Sequence, residues 1–242
     1  MTTSRDSSTT WMTDISQRVL YEDNHIIIVN KLPGEIVQAD KTGDATLMDD
    51  VRAYLKVKYA KPGNVFLGLP HRLDRPTSGI VVLAKTDKAL SRLSVMFRDG
   101  KVTKHYWAIV DRPLPEPSGE LHHYIYRDAV KNKSFAYASP DKRKGGLQEA
   151  RLEYRTLGQS ERYTLLEINL LTGRHHQIRA QLAACGVHIK GDLKYGFPRS
   201  NPDGGICLHS REVSFIHPVS REPVRAVAPV PEDPIWSYFS FS

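Results

Sequence analysis

The stretch Leu69-Pro-His-Arg-Leu-Asp-Arg-Pro-Thr-Ser-Gly-Ile-Val-Val-Leu-Ala-Lys85 constrains this chain more than any other. Its second half, Ile80 to Ala84, is a continuous apolar run of the kind that a strand buried on both faces shows. Its first half is too polar for a core, with His71, Arg72, Asp74 and Arg75 close together. Pro70, Pro76 and Gly79 make that part a shaped loop rather than a regular element. One carboxylate, Asp74, is therefore expected between two arginines at the mouth of a buried strand. An acid so flanked is expected to stay ionised near neutrality. Taken alone, such a cluster more often fixes a loop than performs chemistry.

At 242 residues the chain can bury a large core, as one domain or as two lobes about a cleft. The formal net charge of +7 suits a polyanionic partner. Cys185 and Cys207 cannot build a disulfide framework and lack zinc spacing, so both are expected as small apolar residues in a reducing compartment. Met1 to Trp11 is rich in Ser and Thr and has no apolar core, which argues against a signal peptide. A flexible tail over 1–16 and a single domain over 17–242 are expected. No run reaches membrane-spanning length, and the expectation is a soluble, cytoplasmic protein.

Taken in order, Arg18 to Asp23 and His25 to Asn30 read as two short strands. Asn30-Lys-Leu-Pro-Gly34 then breaks the chain, and Lys31 beside this turn reads as a solvated charge rather than a phosphate contact. Thr46 can cap a helix to about Ala60, with Leu47, Val51, Leu55 and Tyr59 on one face. Asp87 can cap a second helix that carries Leu90, Leu93 and Phe97 and stops at Gly100. Thr103 to Val110 reads as a strand, the prolines between Asp111 and Gly119 as a loop, and Glu120 to Arg127 as a strand. In 128–146, Lys131, Lys133, Lys142, Arg143 and Lys144 interleave with Phe135 and Tyr137, a pattern that fits RNA contact and a solvated loop equally. Glu149 to Leu157 and Arg162 to Leu171 read as adjacent strands, and no motif is found from Pro229 onward.

A second informative stretch is Leu170-Leu-Thr-Gly-Arg-His-His-Gln-Ile-Arg-Ala-Gln-Leu-Ala-Ala-Cys-Gly186. A buried strand is expected to end at Thr172-Gly173 and a helix to begin near His175, which puts Arg174 on a sharp turn where its side chain can enter a cleft. His71, His175 and His176 invite a metal site. Adjacent histidines cannot both face one way from a helix, so no metal is expected.

The stretches together resemble the RluA-type RNA pseudouridine synthases. His71-Arg-Leu-Asp-Arg-Pro-Thr-Ser-Gly79 is similar to that family's catalytic loop, Lys104-His-Tyr-Trp-Ala108 to its tyrosine segment, and Gly173-Arg-His-His-Gln-Ile-Arg179 to its arginine motif, with Gly191-Asp192 and Tyr195-Gly196 following. Leu32 is inserted in the first motif, His175 replaces a commoner threonine and Gln181 a commoner histidine. The resemblance runs from about residue 19 to 218. It implies an α+β fold: a mixed, largely antiparallel sheet flanked by helices and loops around a central basic cleft. It also implies isomerisation of uridine to pseudouridine in transfer or ribosomal RNA, without metal or organic cofactor, and a monomer is expected.

In the implied site, Asp74 acts as nucleophile or base and Arg174 holds it through a bidentate pair. Tyr106 stacks on the uracil, Arg72 fills the place of the flipped base, and Leu208 supplies an apolar wall. Two other readings fit part of the pattern. A glycosidic-bond hydrolase normally needs a second carboxylate, which nothing near Asp74 offers. A non-catalytic RNA-binding or RNA-folding module needs the basic cleft but no ionised Asp74.

Overall fold

The apolar runs pair into one ten-stranded sheet in a computed structural model that describes residues 14–39, 43–140 and 145–240. A short helix α1 (Ile15–Arg18) leads into β1 (Val19–Glu22) and β2 (Ile26–Lys31). Then come α2 (Leu47–Lys58), β3 (Ser78–Ala84), α3 (Asp87–Arg98) and β4 (Thr103–Val110). A run of strands follows: β5 (Ser118–Asp128), β6 (Lys133–Tyr137), β7 (Gln148–Gln159) and β8 (Thr164–Leu170). The chain closes with α4 (Gln177–Ala184), a 3₁₀ turn at Leu193–Tyr195, β9 (Leu208–Ile216), β10 (Pro223–Val227) and α5 (Pro234–Ser240). The expected α+β class is what the chain adopts. Among the described residues no helix is long and apolar enough to cross a membrane.

The strand order is β1-β2-β3-β9-β4-β8-β7-β5-β6, with β10 added beside β9. Every residue of β3 is buried. Val81 and Leu83 join the core that α2, α4 and α5 cover, and Ile80, Val82 and Ala84 join the core under α3. This is why the run carries no polar alternation. Thr46 caps α2 through a reciprocal pair with Asp49. The cap of α3 is Thr86, whose hydroxyl accepts from Ala89 N–H; Asp87, expected there, is the first helical residue and sets its charge on the positive end of the helix.

Several elements were not expected. β6 lies in the stretch read as a charged loop, where Lys133–Tyr137 pairs with Tyr124–Asp128. Lys142, Arg143 and Lys144 of that stretch lie outside the described residues. β10 pairs antiparallel with β9, and α5 buries Trp236 and Phe239 in the main core, so the C-terminal stretch completes the fold without carrying a motif. Ile15, placed in the tail from sequence, is already buried in that core; residues 1–13 of the expected tail lie outside the described residues.

All pairings are antiparallel except the join of β3 to β9, which consists only of Ser78 opposite His209 and Gly79 opposite Ser210. The two halves of the sheet meet at this short contact. Beside it the buried Ser78 hydroxyl lies 2.9 Å from His209 Nδ1. Gly79 has φ +105°, and a Cβ there would collide with the Ser210 backbone, 2.6 Å from its nitrogen. Only glycine fits. Gly79→Ala should therefore destabilise the protein by roughly 3 kcal/mol or more in urea unfolding, combining left-handed backbone strain with overpacking. A loss below about 1 kcal/mol would mean that the strands part easily at this contact.

Candidate active site

The loop between Pro70 and Thr77 is fixed from several sides before any substrate arrives. Thr77 N–H donates to Asp74 O, Gly34 N–H to Arg75 O and Ile206 N–H to Pro76 O, each at 3.0 Å. Lys31, expected as a solvated charge, is instead completely buried. Its ammonium donates to the carbonyls of Leu32, Arg75 and Thr77 at 2.9, 2.9 and 2.6 Å. Burial pulls its pKa down to about 7. Lys31 thus ties the end of β2 to the Asp74 loop. The end of a strand gave no sign in sequence that its next side chain would turn inward.

His71 pins the other end of the loop. Beyond Gly79, β3 has no strand on its second edge, and His71 Nε2 accepts the Val82 N–H at 2.9 Å, which satisfies a ladder group that lacks a partner strand. Its ring stacks on Phe97 of α3 with centroids 4.2 Å apart. Burial, with Lys104 nearby, lowers its pKa to about 3, so the ring is neutral.

Asp74 faces a cleft of about 480 Å³ lined by Tyr106 of β4, Leu208 of β9, Ile178 and Arg179 of α4, and Arg72, Lys104 and Arg174. The structure corrects the expected arginine. Arg179 Nη1 donates to Asp74 Oδ2 at 3.0 Å, while Arg179 Nε and Nη2 grip Asp192 at 2.7 and 2.9 Å. Asp192 is 1% exposed, so the guanidinium leaves water against a buried counter-anion, which offsets its desolvation. Arg174 sits instead on the outer rim of the turn, where its Nε donates to Glu149 O at 2.9 Å. It lines the cleft but does not touch Asp74.

The arginines on either side of Asp74 in sequence do not hold it either, because neighbours in a loop point apart. Arg75 turns to Gly34 O and Asp44. Arg72 projects into the cleft mouth and, among the described residues, has no hydrogen bond or ion pair. The signal for Arg179 was present but weak: the one charged residue of a helical segment, with an aspartate after a glycine further along the chain.

Tyr106 and Leu208 stand where the tyrosine and the apolar wall were expected, both buried and both lining the cleft. Burial raises the Tyr106 pKa to about 12, against a hydrogen bond with Ser210. Lys104, two residues before Tyr106, is half-buried and its pKa is lowered by burial. Among the described residues it has no hydrogen-bond or ion-pair partner, and its ammonium faces Gly173, where a Cβ would lie 3.9 Å away. With Arg72, Arg98 and Arg174 it makes the cleft wall cationic around the Asp74 carboxylate. His175 and His176 do not act as a ligand pair: His175 Nδ1 lies 2.8 Å from the Ser134 hydroxyl, and His176 Nδ1 lies 2.9 Å from that of Tyr195.

Comparison with known proteins adds to this geometry. Residues 25–184 match the family model described as RNA pseudouridylate synthase. The chain is 32% identical over 230 residues to ribosomal large subunit pseudouridine synthase D of Zymomonas mobilis, covering 91% of this chain and 71% of that protein. It is 34% identical over 234 residues to the protein of the same name from Xylella fastidiosa, covering 91% and 68%. Among solved structures, human RNA Pseudouridylate Synthase Domain Containing 4 superposes with a TM-score of 0.75 at 22% identity, covering 94% of this chain and 92% of that one.

The two arginines separate cleanly by stability. Arg179→Met should cost about 3–5 kcal/mol, because it leaves two carboxylates around one emptied position. Arg174→Met at the exposed rim should stay within about 0.5 kcal/mol of wild type. Denaturant unfolding of both variants checks this, and equal losses would contradict the pairing of Arg179.

Proposed function

The chain belongs to the RNA pseudouridylate synthase family, and we propose that it isomerises specific uridines of a structured ribosomal or transfer RNA with Asp74 as the working carboxylate. The observation that carries the reading is the Asp74 carboxylate in the cleft, held on one oxygen by Arg179, with Tyr106, Ile178 and Leu208 lining the same space. The N1–C1′ bond must break, the uracil must turn while still bound, and C5 must bond to C1′. Three routes begin from this carboxylate: attack on C1′, addition to C6, or removal of a sugar proton to give a glycal. Each needs an anionic oxygen open to the cleft. Asp74 Oδ1 has no partner among the described residues.

The remaining lining residues supply binding. The Tyr106 ring and Leu208 offer faces for a uracil, and aromatic stacking on a base contributes roughly 1–3 kcal/mol. A uridine inside a helix must leave its stack to reach Asp74. Arg72, a planar cation at the cleft mouth with no partner among the described residues, suits the vacated place. Lys104, Arg98 and Arg174 suit the phosphates on either side of the target. A hydrolase would need a second carboxylate to activate water. The other acid of the cluster, Asp192, is buried with both oxygens on Arg179, which favours isomerisation over hydrolysis.

Tritium release from RNA carrying uridine labelled at C5 reads the reaction, because C5 gives up its hydrogen when it bonds C1′. RNA extracted from cells lacking the gene provides the substrate. Purified wild-type protein should release tritium; Asp74→Asn, nearly isosteric, should release none while binding RNA within a few-fold of wild type. Release by the variant at the wild-type rate would remove Asp74 from the chemistry.

A further inference from the structure

A second chain of polar contacts ends on the Asp74 oxygen that Arg179 holds. It starts in β6, where Ser134 N–H donates to the Tyr195 hydroxyl oxygen at 2.8 Å. That hydroxyl lies 2.9 Å from His176 Nδ1, and His176 Nε2 lies 3.5 Å from Asp74 Oδ2. Ser134, Tyr195 and His176 are all buried, so each proton needs an acceptor inside the protein. The Tyr195 oxygen already accepts from Ser134. Its own proton has one acceptor within reach among the described residues, His176 Nδ1. Nδ1 is then a lone pair, and in a neutral ring the proton sits on Nε2, facing Asp74. The opposite tautomer would strand the tyrosine proton and aim a lone pair at a carboxylate oxygen. Both ends of the ring require the same tautomer.

The backbone is bent to achieve this. His176 precedes α4, where a side chain ordinarily caps the helix, yet it makes no cap and adopts φ +52°, a left-handed conformation uncommon for a residue with a Cβ. Strain of this kind persists where the surroundings over-determine it. Here His175 stacks on the His176 ring with centroids 3.8 Å apart and is itself within 2.8 Å of the Ser134 hydroxyl. The Arg179 guanidinium lies over the Tyr195 ring, 4.9 Å from its centroid. The charged and titratable groups around His176 are Asp74 from the loop, Arg179 from its own helix, His175 before it, and Tyr195 and Lys194 from the 3₁₀ turn. Burial holds the His176 pKa down at about 3, so the ring is neutral under working conditions.

We infer that His176 and Tyr195 are positioning residues that, together with Arg179, pin Asp74 by Oδ2, so that Oδ1 is the oxygen that meets the uridine. This rests on the role proposed for Asp74. The Tyr195 hydroxyl never touches the substrate in this account; it acts by fixing which nitrogen of His176 carries the proton.

The test is single-turnover tritium release at saturating RNA, with RNA affinity and thermal unfolding measured beside it. Tyr195→Phe frees the ring to adopt the wrong tautomer. Its rate should fall about tenfold near neutral pH while RNA affinity stays within about twofold. His176→Gln, whose amide N–H can stand in for Nε2–H, should outrun His176→Leu by about tenfold. A Tyr195→Phe rate matching wild type would overturn the inference, as would equal rates for His176→Gln and His176→Leu. Wild-type release that Asp74→Asn abolishes keeps the underlying reading intact in either case, so the two failures are distinguishable.

Discussion

The two-residue parallel contact of β3 with β9 is the constraint on which the rest of this structure depends. Gly79 packs against the Ser210 backbone so closely that no side chain fits. From there β3 continues with β2 as its only partner strand, and the chain that precedes β3 runs along its second edge. Gly68 exchanges backbone hydrogen bonds with Ala84 there, and His71 accepts the Val82 N–H. Ser210, on the far side of the contact, is the hydrogen-bond partner of Tyr106. One close approach thus joins the sheet halves and sets the loop carboxylate and the tyrosine beside the same cleft. The polar loop and the apolar strand of a single continuous stretch are two consequences of this join.

A buried charge cluster does the finer positioning. Arg179 spans Asp74 and Asp192 through one guanidinium, which leaves Asp74 Oδ1 without a partner among the described residues. A lysine could not reproduce this, since a point charge cannot address two carboxylates through a fixed fork. Around the cluster the cleft wall is cationic, and Lys104 and Arg72 stay without partners among the described residues. Burying an unpaired ammonium is unfavourable unless an anion arrives. The site therefore holds the Asp74 carboxylate through Arg179 and sets its cations toward the open cleft.

The sequence made local features legible and contacts between distant residues much less so. The strand of Ile80 to Ala84 and the loop before it were readable because apolar run length and Pro/Gly placement are properties of consecutive residues. Tyr106 and Leu208 were readable only through family resemblance, since a buried aromatic and a buried leucine look alike in any core. Arg174 was expected at Asp74 because a turn residue looks free to enter a cleft; what decides the matter is Asp192, thirteen residues past Arg179, whose burial no local pattern shows. Lys31 was misread for the same reason, because the carbonyls that capture it belong to a loop more than forty residues away. β6 was hidden by Lys133 and the basic residues around it, a charge that a strand buried on both faces would exclude but an edge strand tolerates.

The most direct measurement of the central claim is the single-turnover rate of Arg179→Lys at saturating RNA, set against its RNA affinity. If Arg179 works by holding Asp74 against Asp192, the rate should fall on the order of 100-fold while affinity changes by no more than about threefold. A rate close to wild type, or a loss confined to affinity, would contradict the account: Arg179 would then be a binding cation, and the geometry of Asp74 would owe nothing to it.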